Sequence, residues 1–255
     1  MSFPNHPEKY DAEPLITPEQ STTLAETNVN SVPSAVILCY SETLLEYVID
    51  TYEGTMIDWY LGDLYVIEAS GRSVGVLGGF GVGGPVTAML MEELIAAGVE
   101  AFLSIGYAGC LSDDVEMGEF VVCKRALRDE GTSHHYVESE PYAWPTEAFV
   151  AAVEERLRER DESFHVGPSW TTDALFQETT AEIERYAAEG VLTVEMEAAT
   201  VFTVADYRDV DAVAMFVVSD YLGPSEWEPK FELASEDLAR LCDTALEILT
   251  AYVEG

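Results

Sequence analysis

Few residues in this 255-residue chain have the type and spacing to do chemistry. Gly79-Phe80-Gly81-Val82-Gly83-Gly84 follows an apolar strand-like run and opens a helix, so its amides can cradle an anion at a helix N-terminus. The string satisfies G-x-G-x-x-G, which in a dinucleotide fold calls for an acid about 20 residues on to hold a ribose. The next strand, AFLSIG, runs instead into Gly106-Tyr107-Ala108-Gly109, and no acid stands there. The motif alone therefore does not specify a dinucleotide. Two glycine loops at successive strand ends still suit a ligand crevice, although either can be a plain backbone turn. Glu195 and Glu197 flank Met196 before a small-residue helix, where acids also suit the helix dipole in open solvent. Asp220 closes the apolar run Val213–Val218, a place that equally fits a turn residue. His134 and His135 share a loop, as surface residues or as a base or hydrogen-bond partner near neutral pH. Trp170 and Tyr107 either stack on a ligand or fill the core. Cys39, Cys110, Cys123 and Cys242 form no C-x-x-C pair and sit among apolar neighbours. Buried reduced thiols are expected, with no metal centre.

The elements that must position these residues alternate. Strand Ser34–Leu38 leads to helix Glu42–Glu53, and Leu64–Glu68 pairs with Ser73–Leu77 around Ser70-Gly71-Arg72. Pro85–Ala97 is a helix with proline at its first position and Gly98 as its stop. Strands Ala101–Ile105 and Glu119–Cys123, the loop Asp129–Tyr142 and helix Thr146–Arg160 follow. Strand Phe164–Gly167, helix Thr180–Ala188, strand Leu192–Glu195, helix Ala198–Arg208, strand Val213–Val218 and helix Ser235–Val253 complete the series. This alternation implies a single α/β domain, a mixed and largely parallel sheet flanked by helices. It spans 34–255, behind an extended N-terminal arm, 1–33, rich in Pro, Asn, Thr and Glu.

Composition narrows the partners. Twelve basic residues stand against 48 acidic ones, a net charge of −36, and only Lys9, Lys124 and Lys230 are lysines. A field of that sign repels nucleic acid and anionic lipid. An acidic, lysine-poor surface around an ordinary core suits molar salt, where the Debye length is only about 3 Å. The N-terminal stretch carries neither a basic nor an apolar signal region, and no apolar run approaches the roughly 20 residues of a membrane helix. A cytoplasmic protein is expected.

The run from Gly79 to Val122, GFGVGGPVTAMLMEELIAAGVEAFLSIGYAGCLSDDVEMGEFVV, resembles the nucleoside phosphorylase family. That family includes uridine phosphorylases, hexameric purine nucleoside phosphorylases and hydrolytic methylthioadenosine/adenosylhomocysteine nucleosidases. The likeness continues through EGTSHHY (130–136), TTDALF (171–176), VEMEAATVF (194–202) and VVSD (217–220). It implies cleavage of a nucleoside C1′–N bond, in which the sugar becomes oxocarbenium-like while electrons flow into the base. By resemblance Glu197 grips the ribose hydroxyls and favours the cationic sugar, with Met196 beneath the ring and Glu195 beside it. Asp220 protonates or hydrogen-bonds purine N7, oriented by Ser219. Tyr107, Ala108, Gly109 and Leu175 complete the base pocket. Gly81, Gly83 and Ser104 line a pocket for phosphate or water, His134 and His135 lie near a 5′ substituent, and His6 reaches a neighbour's ribose. No cofactor is implied beyond phosphate as co-substrate. The family points to a homo-oligomer, dimer-based or hexameric.

This chain also departs from the pattern. Phosphorylases supply arginines to phosphate from a turn after the first strand and from the strand matching AFLSIG. Here those places hold Cys39-Tyr40-Ser41-Glu42-Thr43-Leu44 and Ser104, and a neighbour's arginine is missing near Tyr65–Val66. The resemblance does not place Arg128 or Lys124 at the phosphate. Water thus competes with phosphate as acceptor, yet Glu42 lies about two residues from the position of the nucleosidases' base. The uracil-reading Gln and Arg are replaced by Gln177-Glu178-Thr179-Thr180-Ala181, which favours a purine. Three readings follow: a phosphorylase, a hydrolytic nucleosidase, or a nucleoside-binding protein without turnover.

Overall fold

The computed structural model describes residues 6–21, 28–69, 72–223 and 227–254. The residues expected at the hairpin turn, Ser70 and Gly71, lie outside them, as do 1–5 and 22–27 of the arm. The elements are β1 (Ala35–Cys39), α1 (Glu42–Thr51), β2 (Gly54–Asp58), β3 (Asp63–Ala69), β4 (Arg72–Gly78), α2 (Gly84–Ala96), β5 (Ala101–Cys110) and β6 (Phe120–Asp129). They continue with β7 (Tyr142–Ala143), α3 (Glu147–Glu159), β8 (Phe164–Thr172), α4 (Thr180–Ala188), β9 (Thr193–Glu195) and α5 (Ala198–Arg208). The chain closes with β10 (Asp211–Leu222), β11 (Trp227–Pro229) and α6 (Phe231–Glu254). The alternation read from the sequence is present. Three strands were not expected, the edge strand β2, the two-residue β7 at the end of the 129–142 loop, and the short β11, and β5, β6, β8 and β10 all run longer than their apolar cores.

The side-chain alternation of β1 shows why the sheet is covered twice. Ala35, Ile37 and Cys39 enter one apolar cluster with Leu44, Leu45 and Val48 of α1, Phe149, Val153 and Leu157 of α3, and the apolar stripe of α6. Val36 and Leu38 enter the opposite cluster with Leu90, Met91 and Leu94 of α2 and Val201, Phe202 and Val204 of α5. A third, smaller cluster, with Trp170, Ile183 and Val194, seats α4. Helix ends follow local chemistry. Ser41 caps α1 by accepting from Leu44 N, and Thr179 and Glu182 form a capping box on α4. Gly98, at φ +105°, follows the end of α2.

The sheet is mixed. β1 pairs in parallel with β4 and β5, as do β5 with β10, β6 with β8 and β8 with β9. β10 pairs antiparallel with β6, and β5 with β9. Because β10 touches both β5 and β6, the strands β10, β6, β8, β9 and β5 close a ring. Closure gathers the ends of β5, β8, β9 and β10, where the candidate residues lie. Among the described residues no helix is long and apolar enough to cross a membrane, and no cluster of His, Cys, Asp and Glu could hold a metal.

Candidate active site

Glu195 ends β9 and Glu197 is the N-cap of α5, but the two carboxylates are spent differently. Glu195 accepts from Thr171 Oγ1 at 2.6 Å, from Ser169 Oγ at 3.3 Å, and from the amides of Glu197 and Ala198 at 2.8 and 2.6 Å. It ties β8, β9 and the free amides of α5 together. Burial still pushes its carboxyl above the usual range, against all four bonds. With four protein donors, Glu195 supports the start of α5. Glu197 makes fewer bonds: Gly83 N at 2.6 Å and Met196 N at 3.2 Å. Burial and the neighbouring Glu195 charge push its carboxyl up to about 8. Met196 beside it is half-buried.

The glycine loop is built to meet that carboxylate. Gly79, Gly81 and Gly83 all have positive φ, at 74°, 88° and 103°, which side-chain-bearing residues rarely adopt. This turn aims Gly83 N at Glu197, so the amide cradle expected for an anion holds a carboxylate of the protein itself. Gly84, next in line, packs so closely that a Cβ there would stand 2.5 Å from Thr200 Oγ1 of α5.

Asp220 owes its direction to an irregularity. The β5–β10 register runs from Val218↔Ala108 to Asp220↔Gly109, skipping Ser219, and such a bulge re-aims the side chain that follows. Ser219 Oγ donates to Asp220 Oδ1 at 2.7 Å, and Trp227 Nε1 of β11 donates to Oδ2 at 2.7 Å. Gly109 leaves the room: a Cβ there would lie 3.1 Å from Oδ2 and 2.3 Å from Leu222. Ala108 is buried alongside. Leu175 is 52% exposed and Phe176 93%, on the turn that leads to Glu178. The carboxyl of Glu178 is pushed up to about 7, by burial first and then by the charges of Asp220 and Glu182.

Tyr40, directly after β1, occupies the region where the resemblance puts the acceptor. Its hydroxyl accepts from Ser104 Oγ at 3.3 Å, and its ring meets Phe80 edge-on at 5.3 Å. A Cβ on Gly106 would touch it at 3.5 Å. Burial, then the nearby Glu197 charge, holds its phenol well above the ordinary value. Ser104 is buried and Gly81 exposed.

Other expected residues have contacts of their own. Trp170 is 1% exposed and its indole donates to Asp129 at 3.0 Å, so it fills the core. Tyr107 packs half-buried against the cluster under α6. Arg128 donates to Ser133 Oγ and to the Glu138 carbonyl, bracing the 130–138 loop. In that loop His134 Nε2 lies 3.2 Å from the Arg128 carbonyl, and His135 Nδ1 lies 3.0 Å from Lys9 Nζ of the arm. Tyr10 donates to the His134 carbonyl at 2.6 Å, so the described arm lies on its own chain's loop. His6 is exposed beside Glu8. Sequence reading missed Tyr40, Glu178 and Trp227. An aromatic residue after the first strand was the one available signal for Tyr40, and nothing local marks the other two.

Comparison with known proteins matches this arrangement to one family. The model of the phosphorylase superfamily matches residues 35–254. The guanosine phosphorylase of Halorubrum lacusprofundi is 33% identical over 177 residues, covering 67% of this chain and 73% of that protein. The uridine phosphorylase of Thermococcus kodakarensis is 32% identical over 192 residues, 68% of this chain and 66% of the relative. A DeoD-type purine nucleoside phosphorylase of Exiguobacterium sibiricum is 26% identical over 197 residues, 75% and 83% of the two chains. In fold, the crystal structure of uridine phosphorylase from Vibrio fischeri superposes with a TM-score of 0.77 at 21% identity, covering 88% of this chain and 95% of that one.

Proposed function

The chain belongs to the phosphorylase superfamily, and from that premise we propose that it cleaves the N-glycosidic bond of a purine ribonucleoside with phosphate as acceptor. The products are ribose 1-phosphate and the free base. The observation that carries the purine assignment is Asp220, turned by the bulge at Ser219 toward Gly109 and held at both oxygens. A relative named for guanosine supports the same choice. As the C1′–N9 bond breaks, its electron pair enters the base, and Asp220 meets that charge with a proton or hydrogen bond at N7. Glu197, ionised, faces the ribose hydroxyls and favours the oxocarbenium-like sugar, exchanging its bond to Gly83 N for the substrate. A phosphate oxygen then bonds C1′.

One observation favours a second acceptor. Tyr40 and Ser104 line the acceptor region with hydroxyls, beside the carboxylate of Glu197, and bring no guanidinium. A dianion gains less there than water does. The test is purified protein with inosine, guanosine, adenosine and uridine, each with and without phosphate. Base release that requires phosphate is the expected result. Release in both conditions makes the enzyme a hydrolase, and binding without release makes it a nucleoside-binding protein.

A further inference from the structure

Asp220 is held by two donors of different kinds. The hydroxyl of Ser219 can donate or accept, whereas an indole N–H can only donate. Trp227 therefore fixes Oδ2 as an acceptor and leaves Oδ1 as the oxygen able to carry a proton. Its own position is set by the backbone. β11 pairs antiparallel with the end of β10, Leu222 opposite Trp227 and Asp220 opposite Pro229, and Lys230 N donates to the Ser219 carbonyl at 3.0 Å. Trp227 is 58% exposed, so it reaches the acid from outside the core.

We propose that Trp227 is a positioning residue for Asp220, selecting the oxygen that carries the proton and stabilising the carboxylate left when that proton passes to a purine base. This rests on the reading of Asp220 as the group that meets N7. In the step, the C1′–N9 pair moves into the base, a proton that Oδ1 takes up with the bound substrate passes to N7, and Asp220 returns to its carboxylate. The bond from the indole strengthens as its acceptor becomes charged, so it contributes more in the transition state than in the protonated substrate complex.

The experiment compares Trp227→Phe and Asp220→Asn with the parent on inosine and 7-methylinosine, under whichever acceptor condition the parent uses. Phenylalanine keeps a ring on β11 and removes the N–H. The fixed positive charge of 7-methylinosine makes N7 protonation unnecessary. Trp227→Phe is expected to lower kcat on inosine about tenfold or more with little change in KM, and to leave kcat on 7-methylinosine within about twofold. Asp220→Asn should show the same contrast more strongly. Equal losses on both substrates with Trp227→Phe mean a merely structural residue and overturn the proposal, as does an unchanged kcat on inosine. If Asp220→Asn is slow on inosine while Trp227→Phe is not, the role of Trp227 alone fails. If Asp220→Asn is not slow, the N7 reading fails with it.

Discussion

Glu197 is the residue whose environment makes the sharpest demand on solution behaviour. Burial and the Glu195 charge push its carboxyl up to about 8, so in the free protein it ionises only on the alkaline side of neutrality. If the ionised form grips the sugar, kcat/KM should rise with pH through about 8, and Glu197→Gln should lose at least about 10²-fold in kcat and flatten that limb. The stability consequence has the opposite sign. The folded state binds this proton more tightly than the unfolded chain does, so the parent loses stability as pH rises from about 4.5 toward about 8. Glu197→Gln should not share that loss, and urea midpoints at pH 6 and pH 9 measure it. A variant that tracks the parent at both pH values would remove Glu197 as the source. Glu178 gives a second titration. Part of its shift comes from Asp220, so Asp220→Asn should move its midpoint down from about 7, as read by carboxyl-carbon NMR. Glu197 and Asp220 could be picked out as candidates in the sequence because V-E-M-E and V-V-S-D carry the family resemblance. The division of labour between Glu195 and Glu197 was not legible. It depends on Thr171 and Ser169, more than twenty residues away, and on which amides α5 leaves free.

At the level of elements, the sequence shows the apolar core of most strands and the start and stop of α2, because those are local. It does not show that β10 pairs with both β5 and β6, and this closure brings Asp220 beside Gly109. The bulge at Ser219 is equally silent, since one extra residue changes register without changing hydrophobic pattern. β2 escaped notice because it is a mostly exposed edge strand with little apolar alternation. β11 is three exposed residues, recognisable as a strand only from its partner. α2 and α5 meet closely at Gly84, whose lack of a side chain lets the helices approach. A methyl added at Gly84 would stand 2.5 Å from Thr200 Oγ1 and 3.1 Å from Thr132 Oγ1, with Glu130 at 3.4 Å. Gly84→Ala should therefore cost about 1–3 kcal/mol through overpacking, seen as a lower urea midpoint at unchanged m. It should also weaken activity, because the same wedge pushes the Gly83 amide from Glu197. An unchanged midpoint would mean that α2 and α5 have slack the geometry does not show.

For the whole molecule, charge outweighs any single contact. Of the 12 basic residues, several arginines are already committed. Arg208 holds Glu92 through two bonds, Arg160 pairs with Glu247, Arg185 with Glu189, Arg156 with Glu159, Arg158 with Glu154, and Arg240 with Glu162 and Asp237. Twelve cations cannot neutralise 48 carboxylates, so most of the acidic surface repels itself. Added salt acts on two opposing quantities. It weakens the exposed pairs, each worth at most about 1 kcal/mol, and it screens repulsion summed over the whole net charge of −36. The second is larger, because the Debye length falls from about 10 Å at 0.1 M to about 3 Å at 1 M while the unpaired acids far outnumber the paired ones. Tm should accordingly rise as KCl goes from about 0.1 M to about 2 M, with most of the rise below about 1 M, where screening changes fastest. Sodium sulfate at matched ionic strength separates screening from preferential exclusion, which continues to add stability above that range. A Tm that falls or stays level across the KCl series would show that the ion pairs govern stability, and the acidic surface would then have no role in tolerance of high salt.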